Sequence, residues 1–130
     1  VLGPVVERDA RESGVSGAPE GWVDRMASYL EAVVERNRTV NLVSRRSIDR
    51  LVEAQALPSL AALRVVPADR TVRVLDVGTG GGFPGIPLKI LRPRIRLDLL
   101  DATRKKCEFV EEVIRSLGLR SAEVHWGRIE

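Results

Sequence analysis

The stretch Val74-Leu75-Asp76-Val77-Gly78-Thr79-Gly80-Gly81-Gly82 constrains this chain more than any other. An aliphatic run ends in a carboxylate and passes directly into a turn with glycine at every second position. Runs rich in β-branched residues and bounded by turn residues read as strands. Glycine permits positive φ and lets backbone amides lie close to a ligand. A second apolar run closes on Asp101, about twenty residues further on. Strand, glycine turn, helix and a second strand ending in an acid is the layout that holds nucleotide-type cofactors.

Around this unit the hydrophobic period changes once. Residues 7–20 are polar and rich in Gly and Ser, and read as a loose arm. From Pro19 the pattern is helical: Trp22, Met26, Tyr29, Leu30, Val33 and Val34 recur at spacings of three and four. A second, shorter helix is expected after Ser47 as its N-cap, with Ile48, Leu51 and Val52 inward and Pro58 interrupting it. Pro67-Ala68-Asp69 marks a boundary. It separates an N-terminal arm and helical segment, 1–68, from a Rossmann-like unit, 69–130. In that unit the reading predicts strands over Val72–Val77, Arg94–Leu100 and Ala122–Trp126. A helix from Pro84 through Arg92 and another capped by Thr103 and stopped by Gly118 alternate with them. Alternation of this kind predicts an α/β fold with a parallel sheet and right-handed crossovers.

Three parallel strands make one half of a doubly wound sheet. The first strand is normally central, and here it would be left with an open edge and an open face. The chain also lacks an initial Met. It is therefore expected to be cut short, or to complete its sheet with a partner.

Composition sets broad limits. The 130 residues are 44% hydrophobic and 30% charged, ordinary for a globular chain. Lys+Arg is 21 against Asp+Glu 18, a surplus too small to prove a nucleic-acid partner. Arg dominates, with lysines at 89, 105 and 106, and Arg suits bidentate phosphate contacts. The lone Cys107 excludes an internal disulfide and fits a reducing cytoplasm. No apolar run approaches the roughly 18 residues of a membrane span. No His, Cys or carboxylate spacing suggests a metal, and His125 reads as structural or exposed.

Asp76 discriminates between cofactors. Gly80-Gly81-Gly82-Phe83-Pro84-Gly85 satisfies the dinucleotide fingerprint, but a carboxylate just before the turn would repel a pyrophosphate. It suits a cofactor end that carries an ammonium and a sulfonium. S-adenosylmethionine has both and no phosphate. Asp76, Gly78, Thr79, Gly80, Gly82 and Phe83 are then its candidate contacts, with Asp101 and Ala102 on the ribose side. Asp101 is expected under either cofactor, and it can also cap the helix after it. Arg128, Ile129 and Glu130 would border the adenine by analogy of fold.

The run Asp76-Val77-Gly78-Thr79-Gly80-Gly81-Gly82-Phe83-Pro84-Gly85-Ile86-Pro87-Leu88 closely resembles the signature of the RsmG (GidB) methyltransferases. Leu99-Leu100-Asp101 with Arg104-Lys105-Lys106 and Phe109, Asn37 with Asn41-Leu42, and Gly127-Arg128-Ile129-Glu130 are similar to further family segments. The resemblance implies a class I S-adenosylmethionine-dependent methyltransferase fold, transfer of a methyl group to guanine N7 of small-subunit ribosomal RNA, and a monomer once the domain is complete. It also implies cofactor contacts at Asp76, Gly78, Gly80, Gly82 and Asp101. Arg128 becomes the one candidate catalytic residue, near cofactor and RNA. Guanine N7 already carries a lone pair, so alignment and dry electrostatics replace a dedicated base. The sequence departs from the family at Gln55 and Pro58, where a His and an Asp are usual, and at Arg36, which replaces a Trp.

Two basic groups are candidate phosphate contacts. Arg36, Arg38, Arg45 and Arg46, with Arg50, flank the helical segment. Arg104, Lys105 and Lys106, with Lys89, Arg92, Arg94 and Arg96, surround the second strand. Two other readings stay open. One is an NAD-dependent oxidoreductase. The other is a non-catalytic RNA-binding or ribosome-assembly module that retains the cofactor fold.

Overall fold

The computed structural model describes residues 17–129. Most of the polar arm, residues 7–16, and the candidate contact Glu130 lie outside the described residues. Helix α1 spans Trp22–Arg36. It buries Met26, Tyr29, Leu30 and Val33 on one stripe, whereas Val34 stays 39% exposed at the stripe's edge.

Helix α2, Arg45–Asp49, starts one turn earlier than the sequence suggested. Its N-cap is Ser44, not Ser47, because the Ser44 Oγ accepts the Ser47 amide at 3.1 Å. Pro58 does not break the helical path after α2 either. A π-helical turn over Val52–Ala56 runs into α3, Leu57–Ala61, and the Leu57 amide donates to the Val52 carbonyl. Pro58 lies at the start of α3, directly after the π-helical turn, and the helical path continues through it. A 3-10 turn, Ala62–Val65, leads to the sheet.

Strands β1 (Val72–Val77), β2 (Ile95–Asp101) and β3 (Ala122–Trp126) pair in parallel in the order β1-β2-β3. Helix α4, Gly85–Leu91, links the first two, and α5, Arg104–Leu117, links the last two. Gly118 ends α5 at φ 62°, the left-handed conformation expected of a helix-terminating glycine.

Right-handed crossovers put both linking helices on the same face of the sheet. That face carries Leu97 and Leu99 of β2, which are at most 2% exposed. Helices α4 and α5 pack on it, and α1 packs across both. One core joins Met26, Leu30 and Val33 of α1 to Ile86 and Ile90 of α4, Leu97 and Leu99 of β2, and Phe109, Val110 and Val113 of α5. The opposite face is uncovered: Leu75 is 57% and Val77 54% exposed. Among the described residues no helix is long and apolar enough to cross a membrane.

Candidate functional site

The parallel register sets Asp76 beside Leu99, and Asp101 beside Trp126. Both acids therefore stand at the carboxyl ends of their strands, where open α/β sheets bind ligands. The glycine turn hangs from the neighbouring strand, since the Gly78 and Thr79 amides donate to the Leu100 carbonyl at 2.8 and 3.1 Å.

The two acids shape the turn as well as border it. Asp76 is buried, and its Oδ2 accepts the Thr79 hydroxyl at 2.7 Å and the Gly85 amide at 3.0 Å. These bonds close the loop back onto the strand that enters it and fix the start of α4. Burial pushes the Asp76 carboxyl above its ordinary value; the Thr79 and Gly85 bonds oppose this, and the Asp101 charge adds to it. Asp101, also buried, accepts the Gly80 amide on Oδ2 at 2.9 Å and the Thr103 amide on Oδ1 at 2.8 Å. The second bond is an Asx turn at the head of α5, where the Thr103 side chain makes no cap of its own. Asp101 thus starts the helix while it stands at the rim of the loop.

The glycines divide into two kinds. Gly78, at φ 70°, is exposed, and a Cβ there would meet nothing within 4 Å. This is the open side of the loop. Gly82, at φ 104°, is buried, and a Cβ there would lie 2.7 Å from Ile86 and 3.0 Å from the Tyr29 hydroxyl. Gly80 and Gly81 abut Leu42, whose segment is shaped by Asn37: its Oδ1 accepts the Leu42 and Val43 amides at 2.9 and 3.1 Å. Thr79 is buried, and Phe83 packs on Tyr29 with ring centroids 5.2 Å apart. The Phe83–Pro84 peptide is cis.

Sequence reasoning placed Tyr29 in the core and stopped there. Its hydroxyl in fact donates to the Gly81 carbonyl at 2.7 Å. A buried tyrosine usually finds such a partner, and that was the available signal. Ala102, directly after β2, and Arg128, two residues beyond β3, are exposed. Ile129 is 64% exposed, and the Trp126 indole N–H donates to the Ala102 carbonyl at 2.9 Å.

The basic candidates divide as well. Lys89 is not a surface cation. It is 4% exposed, donates to the Pro93 carbonyl at 2.7 Å and to the Ile95 carbonyl, and burial lowers its pKa. Arg36 pairs with Glu112 and lies over the Phe109 ring, which joins α1 to α5. Arg38 pairs with Glu35 at 3.6 Å, and Arg104 with Glu108 at 3.1 Å. Arg45, Arg46 and Lys105 are exposed, and Lys106 is half-buried. Cys107 is buried in α5, and burial raises its thiol pKa.

On the uncovered face the fold gathers Asp98, Glu123 and His125, with one donor atom of each within 4.8 Å of the others. His125 Nε2 lies 2.8 Å from Asp98 Oδ1. Linear spacing gave no sign of this trio, because two of its members meet Asp98 only through strand pairing.

A parallel sheet with a glycine turn after its first strand and an acid closing its second defines a Rossmann-like cofactor domain. The fold is similar to that of a coclaurine N-methyltransferase solved with N-methylheliamine and SAH. The TM-score is 0.54, covering 97% of this chain and 45% of that one, at 14% identity. The sequence matches the family described as GidB, rRNA small subunit methyltransferase G, over residues 23–130, and the chain belongs to that family. Its relatives include the ribosomal RNA small subunit methyltransferase G of Pelotomaculum thermopropionicum, 39% identical over all of this chain and 54% of the relative. The protein of the same name from Cytophaga hutchinsonii is 46% identical over 83% of this chain and 52% of the relative. The chain thus spans about half the length of the curated relatives it matches.

Proposed function

We propose that this chain carries the cofactor half of an S-adenosylmethionine-dependent methyltransferase that acts on small-subunit ribosomal RNA at guanine N7, in the cytoplasm. The observation that carries the reading is the pairing of an open glycine rim at Gly78 with two strand-end carboxylates, Asp76 and Asp101. Two acids at one rim disfavour a pyrophosphate and favour a cationic nucleoside. The same charges argue against the NAD reading.

The residues fit that cofactor in a graded way. Asp76 spends Oδ2 on the loop, and Oδ1 makes no hydrogen bond among the described residues. That oxygen is the group we assign to the ammonium end. Asp101 and the exposed Ala102 border the ribose and adenine, with Arg128 and Ile129 beyond them. Thr79, Gly82 and Phe83 act from beneath, by holding the loop's shape. When bound, the cofactor supplies an electrophilic methyl group on a sulfonium. Guanine N7 offers a lone pair at neutral pH, so no side chain has to remove a proton. The chain's contribution is alignment and the exclusion of water. Exposed Arg45, Arg46 and Lys105 are the phosphate contacts this reading favours.

The test is methyl transfer from radiolabelled S-adenosylmethionine to small-subunit ribosomal RNA by the intact protein. Label at a guanine, with NAD neither binding nor competing, is the expected result. Binding of NAD together with no transfer would reject the reading. Cofactor binding without transfer would favour the non-catalytic RNA-binding module.

A further inference from the structure

Tyr29 belongs to α1, far in sequence from the glycine turn, yet it reaches under that turn. It is 1% exposed, and its hydroxyl donates to the Gly81 carbonyl at 2.7 Å. The same oxygen would sit 3.0 Å from a Cβ on Gly82, and the ring stacks obliquely on Phe83 at 5.2 Å. Tyr29 therefore contacts Gly81 and Phe83, and its hydroxyl crowds the space a side chain on Gly82 would need. Four of the five residues from 78 to 82 are glycine. Such a segment has the largest backbone freedom to lose when a ligand orders it. A carbonyl pinned to a rigid helix removes part of that loss in advance, and preorganisation of this kind raises affinity.

We propose that Tyr29 is a positioning residue of the cofactor site: its hydroxyl fixes the Gly81 carbonyl from below, so that the Gly78–Gly80 rim is already shaped to receive its ligand. The proposal rests on the reading of this loop as the S-adenosylmethionine site. The donor role is chemically secure, because burial and the nearby Asp76 charge hold the phenol well above its ordinary pKa. The assignment also makes α1 part of the cofactor site, although no glycine-motif residue lies on it.

Tyr29→Phe keeps the ring on Phe83 and removes the one hydroxyl. Calorimetry with S-adenosylhomocysteine on the intact protein should show Kd raised about tenfold, the effect of one lost buried hydrogen bond. Val113→Ala, a cavity variant on α5 away from the loop, should lose stability and keep Kd within about twofold. Amide exchange over residues 78–83 should accelerate in Tyr29→Phe and not in Val113→Ala. An unchanged Kd in Tyr29→Phe, or an equal rise in Val113→Ala, overturns the assignment. Unchanged loop exchange in Tyr29→Phe overturns it independently of any ligand. A wild type that binds no S-adenosylhomocysteine overturns the cofactor reading instead, and the exchange measurement still judges the hold of Tyr29 on the loop.

Discussion

Asp76 holds two duties on two oxygens. Oδ2 ties the Thr79 hydroxyl and the Gly85 amide, and a Cβ on Gly85 would lie 2.9 Å from that same atom. Asp76→Ala leaves both donors buried without a partner, and we expect a loss of about 1–3 kcal/mol in urea unfolding. Asp76→Asn keeps one oxygen for both donors and should retain most of that stability. Folding raises the Asp76 pKa, so the native state holds this proton more tightly than the unfolded chain. The resulting contribution is full below the ordinary aspartate value of about 3.9 and is lost as pH rises through the raised value. Urea midpoints measured from acid to neutral pH should fall over that interval in the wild type, and this fall should flatten in Asp76→Asn. The sequence announced Asp76 as a charge beside a turn. Its role in closing the turn depends on Thr79 and Gly85 coming within reach, which spacing alone does not fix.

At the level of elements, the strands were the most legible part. β1 and β3 fall where their β-branched and alternating patterns put them, and β2 is displaced by one residue at each end. The helical segment was less legible, because caps depend on which of two nearby serines turns its oxygen inward. The reading took Ser47 as the cap, whereas the Ser44 Oγ accepts the Ser47 amide and caps the helix. Charge was least legible. Lys89 looks like any surface lysine in a basic neighbourhood, yet α4 buries it and spends its ammonium on the carbonyls that end the α4–β2 connection. Lys89→Met should therefore lower stability by about 1–3 kcal/mol and leave RNA affinity unaltered. The pair Arg45→Ala and Arg46→Ala on α2 should do the reverse: near-wild-type stability and a shallower salt dependence of RNA binding, by up to about 0.9 per lost phosphate contact. Filter binding across a salt series, alongside urea melts, checks both halves of the contrast.

For the molecule as a whole, one face of the sheet carries the core and the other stands open. Parallel sheets are ordinarily covered on both faces, and Leu75 and Val77 are each more than half exposed. The 130-residue chain should accordingly bind an apolar dye such as ANS, and Leu75→Lys with Val77→Lys should abolish most of that signal at little cost in stability. The sequence foretold this open face from the strand count. It did not foretell that α1 and the Asn37–Leu42 segment would pack against the glycine loop, since contacts this distant in sequence leave no periodic trace. The central claim is that the acidic rim of that loop recognises a cationic nucleoside. Calorimetry with S-adenosylhomocysteine on wild type and Asp76→Asn tests it most directly, because the substitution removes the charge and spares the hydrogen bonds that close the turn. The account predicts measurable binding by the wild type and a loss of about 1–3 kcal/mol in the variant; equal affinities would contradict it.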